Sequence, residues 1–343
     1  LNLYLTYRSQ IDYAGPYGYN WDLNLDKRLI NEPNGDVAYL DGEGRRDKFT
    51  LNPDSSYTAP AGLFARLTKN PDDTYTLRYS HGYTVEFDTN GNSTIERDTN
   101  GNHLTILRNA CGLVEGVIDT RGNLTRVIYD ANTITFQDYA NREFVLTLDA
   151  NDNLAILRSP TTTDYPLGKE EHFAWYSGNT DSRFNHNMRA EQRSLDNGAT
   201  WHDIFSNIYD SNDRVIQQIL ADWTFGSAFW TYTPMSPSFR TEYMDPNGNI
   251  TETEQNDLGN VTKREVFTNR DINPNDPASF VTLYEYNDNG LVTNATYPEL
   301  NFVENTYDET NPNPLSQGNL LQSKRIADAL RGGGAGYNQI ISS

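Results

Sequence analysis

Asn90-Gly91-Asn92-Ser93-Thr94 is one copy of a phrase that returns as Gly122-Asn123-Leu124-Thr125, Gly248-Asn249-Ile250-Thr251 and Gly259-Asn260-Val261-Thr262. Looser copies are Asn100-Gly101-Asn102-His103-Leu104-Thr105, Asn289-Gly290-Leu291-Val292-Thr293 and Gly318-Asn319-Leu320. A turn signature repeated this often marks one small supersecondary unit copied many times. Asn-Gly suits a two-residue hairpin turn, because both residues tolerate positive φ, and the β-branched residues behind it open the return strand. Between the turns lie period-two stretches such as Tyr75-Thr76-Leu77-Arg78-Tyr79, Leu124-Thr125-Arg126-Val127-Ile128-Tyr129 and Phe144-Val145-Leu146-Thr147-Leu148. Such hairpins cannot bury an apolar face alone, so they are expected to join edge to edge in an all-β ribbon.

Composition agrees with strands. Aromatic residues make up 12% of the chain, 22 of them Tyr, against only 3 Met, which favours sheets over helices. At 343 residues the chain is long for one core and short for three ordinary domains. A formal net charge of −20 disfavours nucleic acid and anionic membranes as partners. The single cysteine, Cys111, excludes an internal disulfide framework and a cysteine-built zinc site. No apolar run is long enough for a membrane span. Leu1 to Tyr7 alternates like a strand already under way and no Met opens the chain, so a piece of a longer polypeptide is expected.

Three regions follow. Residues 1–50 form an opening segment with a dense cluster, Gly15-Pro16-Tyr17-Gly18-Tyr19-Asn20-Trp21, whose rings are expected to close the end of a sheet over bare strand edges. Residues 51–330 form the hairpin array, degenerate between 161 and 240, where Trp175-Tyr176, Trp201, Trp223 and Phe229-Trp230 concentrate. Residues 331–343, with Gly332-Gly333-Gly334, are expected to be a flexible tail.

The serial Tyr-Asp dipeptides Tyr129-Asp130, Tyr209-Asp210 and Tyr307-Asp308, with the near copies Phe87-Asp88 and Tyr286-Asn287 ahead of Gly290, resemble the YD repeat of Rhs proteins. The opening strengthens the likeness: Tyr7-Arg8-Ser9, the Gly15 to Trp21 cluster and Asp41-Gly42-Glu43-Gly44-Arg45 through Phe49 resemble the segment that introduces the Rhs repeat region. The resemblance covers nearly the whole chain and is weakest between 161 and 240. It implies a spiral ribbon of hairpins forming part of a hollow shell. In that family, which includes toxin-complex C components and teneurins, such shells belong to secreted or surface proteins, and in polymorphic toxins they enclose a C-terminal toxin. The proline- and glycine-rich self-cleavage junction of bacterial members has no counterpart here, so neither cleavage nor cargo carries over to any residue.

Other patterns are weighed against turn chemistry. Ser194-Leu195-Asp196-Asn197-Gly198-Ala199-Thr200-Trp201 fits the Asp-box of carbohydrate-active β proteins. Its Asp caps turn amides, Gly198 takes the unusual φ and Trp201 packs beneath, a structural job. Asp88-Thr89-Asn90-Gly91-Asn92 and its relatives place Gly fourth, not sixth as a calcium loop requires. His81, His103, His172, His186 and His202 show no zinc spacing. Asn92, Asn123, Asn249, Asn260 and Asn294 open glycosylation triplets, four of them by-products of the repeat. The expectation is a non-catalytic shell or scaffold with no cofactor or metal. A surface module that binds glycans is the alternative. A glycosidase ranks third, because it needs two carboxylates converging at roughly 5–10 Å, which spacing cannot show.

Overall fold

A strand needs a turn to return, and this sequence supplies one every few residues. The computed structural model describes residues 2–194, 200–221, 225–235, 238–328 and 339–341. Within them the backbone is strands and turns, interrupted only by short 3-10 segments at Ser182–His186 and Pro314–Ser316. The all-β expectation holds. The chain divides into two units: Leu1–Pro60 with Ala65–Thr224, and Ala61–Phe64 with Phe225–Ser343.

In the first unit a long sheet begins at Ala65–Lys69 and adds each later strand antiparallel to the one before, in chain order, as far as Val215–Leu220. Every connection is therefore a hairpin, and the sheet continues through the degenerate stretch as Glu170–Trp175, Met188–Arg193 and His202–Tyr209. Alternation gives the sheet an apolar face, with Val117, Val127, Ile134, Phe136 and Leu146 buried.

The opening segment covers that face. Tyr17, Trp21, Leu23 and Leu25 join Ile106, Val114, Val117, Val127, Phe136, Leu146 and Leu154 in one core. The expectation that these rings cap strand edges is corrected: Tyr17 stacks on Phe136 and Trp21 meets Phe173 edge-on, both against the face. Covering a face removes far more apolar area from water than covering an edge, at about 25 cal/mol per Å². Backbone bonds then fix the segment to strand ends, from Tyr19 N to Asp152 O (2.9 Å) and from Leu29 N to Gly91 O (2.7 Å). A four-stranded meander, Arg28–Asn31, Val37–Leu40, Arg46–Leu51 and Tyr57–Thr58, follows. Its Tyr39 packs edge-on against Phe87 and accepts a bond from the Tyr79 hydroxyl.

Gly91 shows how tightly this seam is built. Its φ is +83°, and a Cβ there would lie 2.1 Å from Leu29 O, whereas Gly122, at φ +84°, has nothing within 4 Å. Both substitutions by Ala incur the left-handed penalty of about 1–2 kcal/mol. Gly91→Ala is expected to cost clearly more than Gly122→Ala in urea unfolding, because only Gly91 must also displace backbone.

The second unit repeats the topology from Ser227–Pro234 to Leu320–Ile326. One cross-strand row reads Trp230, Tyr243, Thr251, Val266, Phe280; the row beside it reads Thr231, Glu242, Glu252, Glu265, Val281. Neighbouring rows point to opposite faces, so one face carries an aromatic and β-branched row and the other a row of glutamates, of which Glu252 pairs with Arg240 and Glu265 with Lys263. Among the described residues of this unit, only Ala228 and Ala295 are buried apolar side chains. Of residues 331–343, expected to be a flexible tail, 331–338 and 342–343 lie outside the described residues, and Gln339–Ile341 pairs with Ser323 to Arg325 as a further strand. The backbone groups of Ser323 to Arg325 hold those three residues in a ladder.

Candidate functional site

The repeated residues belong to two linked devices, a turn and a clamp. In the turn opened by Asp119, the Asp119 amide donates to Asn123 O (3.0 Å) and the Gly122 amide to Asp119 O (2.8 Å). Asp119 Oδ1 accepts from the amides of Arg121 and Asn123, both 2.9 Å, and Oδ2 accepts from the Asn123 side-chain amide at 2.9 Å. Asp98 and Asp245 repeat the pattern with Asn102 and Asn249. Asn256 and Asn287 open equivalent turns around Gly259 and Gly290.

This geometry corrects the two-residue turn. Asn90, Asn100, Asn247 and Asn289 keep negative φ, and only the following Gly is positive. The loop has three residues, a type I turn closed by a left-handed Gly. An acceptor three residues before the Gly decides this, because it ties down two amides that a tighter turn would orient elsewhere. Hydrogen bonding from Asn123, and from Asn249 in its own turn, holds the Asp119 and Asp245 carboxyls below the usual range. The oxygens that a calcium ion would need are engaged by amides.

The clamp lies one residue before the turn. After several turns the return strand carries a register irregularity, as between Glu285 and Tyr286 opposite Val292 and Asn294. The ladder to the following strand then stops at Asn294, leaving the carbonyl of Val292 outside it. The Tyr307 hydroxyl fills that gap at 3.1 Å, with Asn305 Nδ2 at 3.0 Å. Tyr129 does the same for Val114 O at 3.0 Å, Tyr209 for Met188 O at 3.0 Å and Tyr286 for Val261 O at 2.6 Å. An unpaired buried carbonyl costs about 1–3 kcal/mol, so each tyrosine completes the strand that precedes its own. Burial raises the Tyr129 and Tyr209 phenols to about 12, which keeps them protonated donors throughout the neutral range.

Two residues with no tyrosine in the sequence pattern do the same work. Trp175 Nε1 donates to Leu154 O at 2.8 Å, and Arg108 Nε to Ser93 O at 3.1 Å. Each occupies the last position of a strand opposite a register irregularity, a signal that only the pairing reveals. Among the described residues the ring of Tyr209 has one ring partner, Tyr176, edge-on at 6.1 Å.

The repeat residues do not converge on one point. Tyr129, Tyr209, Tyr286 and Tyr307 each serve their own pair of strands, and Asp130, Asp210 and Asp308 open the turns beyond them. Gly248 and Asn249 sit in a turn at the opposite strand ends, after Phe239–Met244. Of the Asp-box, Asp196 and Gly198 lie outside the described residues; Trp201 stacks on His172 with centroids 3.7 Å apart. Among the described residues no three His, Cys, Asp or Glu side chains gather as a metal site.

Asp22 carries a testable electrostatic signature. It is 3% exposed, and burial raises its carboxyl to about 6 even with Arg28 at 3.7 Å. The folded state thus binds this proton more tightly than the unfolded chain, so its contribution is complete below about pH 4 and is lost as pH rises through 6. Between pH 4 and 6 the melting temperature of the native chain, taken relative to that of Asp22→Asn, should fall as the pH rises.

Residues 1–49 match the model of a family described as a domain of unknown function, DUF6531. No curated protein matches the chain. Among solved structures it is similar to a TcdB2-TccC3 chain without its hypervariable C-terminal region, at 12% identity and TM-score 0.41, covering 95% of this chain and 20% of that one. The same pair solved with Cdc42 gives 12% identity and TM-score 0.42, covering 92% and 19%. A porin-like protein from Bacteroides uniformis covers 92% of both chains at 12% identity, with TM-score 0.21. The chain spans about a fifth of the length of the TcdB2-TccC3 chains. All of these scores fall below 0.5 and establish no shared fold.

Proposed function

We propose that this chain is a structural wall segment of a secreted or surface protein of the Rhs/YD-repeat kind, without catalysis of its own, and that in the parent polypeptide the wall encloses a C-terminal cargo. The observation that carries this reading is the second unit. Its strands are fully laddered, yet its described residues bury only Ala228 and Ala295 as apolar side chains. A sheet held by ladders and side-chain clamps, with one aromatic face left half-exposed, has the physics of a partition. The opening match at residues 1–49 and the serial Tyr-Asp units are consistent with it.

The test is protease protection in the parent polypeptide. A C-terminal segment shielded until the wall is unfolded by denaturant supports the proposal. A segment cleaved at once under native conditions, with the wall intact, contradicts it.

Trp230 favours a second reading. It lies 5.2 Å from Tyr243, half-exposed on the aromatic face, as a sugar-stacking platform would. Glycan-array binding that disappears in Trp230→Ala would replace the wall reading with an adhesive one.

A further inference from the structure

The first unit holds a cavity of about 700 Å³ where the opening segment crosses the sheet. Leu3, Leu5, Phe136, Leu146, Leu157 and Phe173 supply its apolar lining. Trp21 also lines it, is 8% exposed, and its Nε1 has no hydrogen-bond partner. A buried donor left unpaired is unfavourable, and an acceptor arriving with a ligand would relieve it. At the rim stand Asp119, Asp138, Glu171 and Glu191 with Arg142. Arg142 pairs with Asp138, and Arg193 is shared by Glu171 (3.1 Å) and Glu191 (2.9 Å), so negative charge remains in excess.

The geometry points to a binding site for one neutral or cationic amphiphile, with its apolar body against Phe136 and Leu157, an acceptor received by Trp21 Nε1 and any cationic group at the acidic rim. The volume suits a molecule of drug size, and such sites combine an apolar lining with a few placed polar groups. Anionic amphiphiles are selected against by the rim. Burial raises the Glu191 carboxyl, opposed by Arg193, which fits a rim group at the boundary of an apolar space. The inference is independent of the wall reading, since a wall segment with or without cargo could hold this ligand.

The probe is prodan, a neutral naphthalene ketone whose emission shifts to the blue in apolar surroundings, titrated into the whole chain. A saturable blue shift is expected. Trp21→Phe keeps an aromatic ring at the position but removes the donor, and should raise half-saturation about fivefold, the equivalent of one neutral hydrogen bond. Leu157→Trp fills the space and should abolish saturation while leaving the far-ultraviolet circular dichroism unchanged. In the unmodified chain, decylammonium should displace prodan at about tenfold lower concentration than decanoate, as expected for charges near several carboxylates. This arm decides the matter even if a variant does not fold. Absence of saturable binding, or equal displacement by the two amphiphiles, overturns the proposal.

Discussion

Tyr17→Ala is expected to destabilise the first unit by about 3–5 kcal/mol, the range for removing a large ring from a packed core. Tyr17 is 0% exposed, its ring lies 6.2 Å from that of Phe136, and it belongs to the same core as Val117 and Leu146. The consequence should be local before it is global. Releasing the opening segment uncovers the apolar face of Leu124–Tyr129, Thr133–Gln137 and Glu143–Leu148 while their mutual ladders remain. Urea unfolding should therefore show a large loss of midpoint. Hydrogen exchange should accelerate first in residues 5–31 and later in the sheet. If the segment merely decorated a self-sufficient sheet, Tyr17→Ala would shift the midpoint by no more than a surface substitution does.

The second large effect belongs to the clamp. Tyr129→Phe retains the ring and removes one hydroxyl, leaving Val114 O without its 3.0 Å partner at a residue that is 0% exposed. The expected loss is about 1–3 kcal/mol, the cost of a buried group left unsatisfied. Tyr139→Phe is the control, since Tyr139 is 66% exposed and should be neutral. A packing role for the repeat tyrosines predicts the opposite outcome, with Tyr129→Phe as mild as Tyr139→Phe. Equilibrium unfolding of the two variants side by side distinguishes these cases.

These two effects show where sequence reasoning succeeded and where it stopped. The hairpin array was legible because its turns are local: Asp, Asn and Gly at fixed offsets need nothing beyond five residues of chain. Even there, Asn-Gly suggested a tighter turn than the one formed, because the deciding acceptor, such as Asp98 or Asp245, stands outside the dipeptide. The Tyr-Asp pair was visible as a repeat but not as a clamp. Its partner carbonyl is distant in sequence, 15 residues back for Tyr129 and 25 for Tyr286, and becomes available only through a register irregularity. Trp175 and Arg108 escaped for the same reason, since nothing in their own neighbourhoods marks them as donors to Leu154 and Ser93. The covering of the sheet face by Tyr17 and Trp21 was equally hidden: an aromatic cluster declares that it will be buried, not against what. Trp21 Nε1, unpaired beside a cavity, could not be read from sequence at all.

Hydrogen–deuterium exchange of the intact chain, resolved by peptide, tests the central claim most directly. A hairpin ribbon in each unit predicts slow amides in the strands from Ala65–Lys69 to Val215–Leu220 and from Ser227–Pro234 to Leu320–Ile326, broken by fast turn amides such as those of Thr89, Thr99 and Asp257. Rapid exchange throughout 250–326, or protection spread evenly across the turns, would mean that no such laddered wall exists in solution.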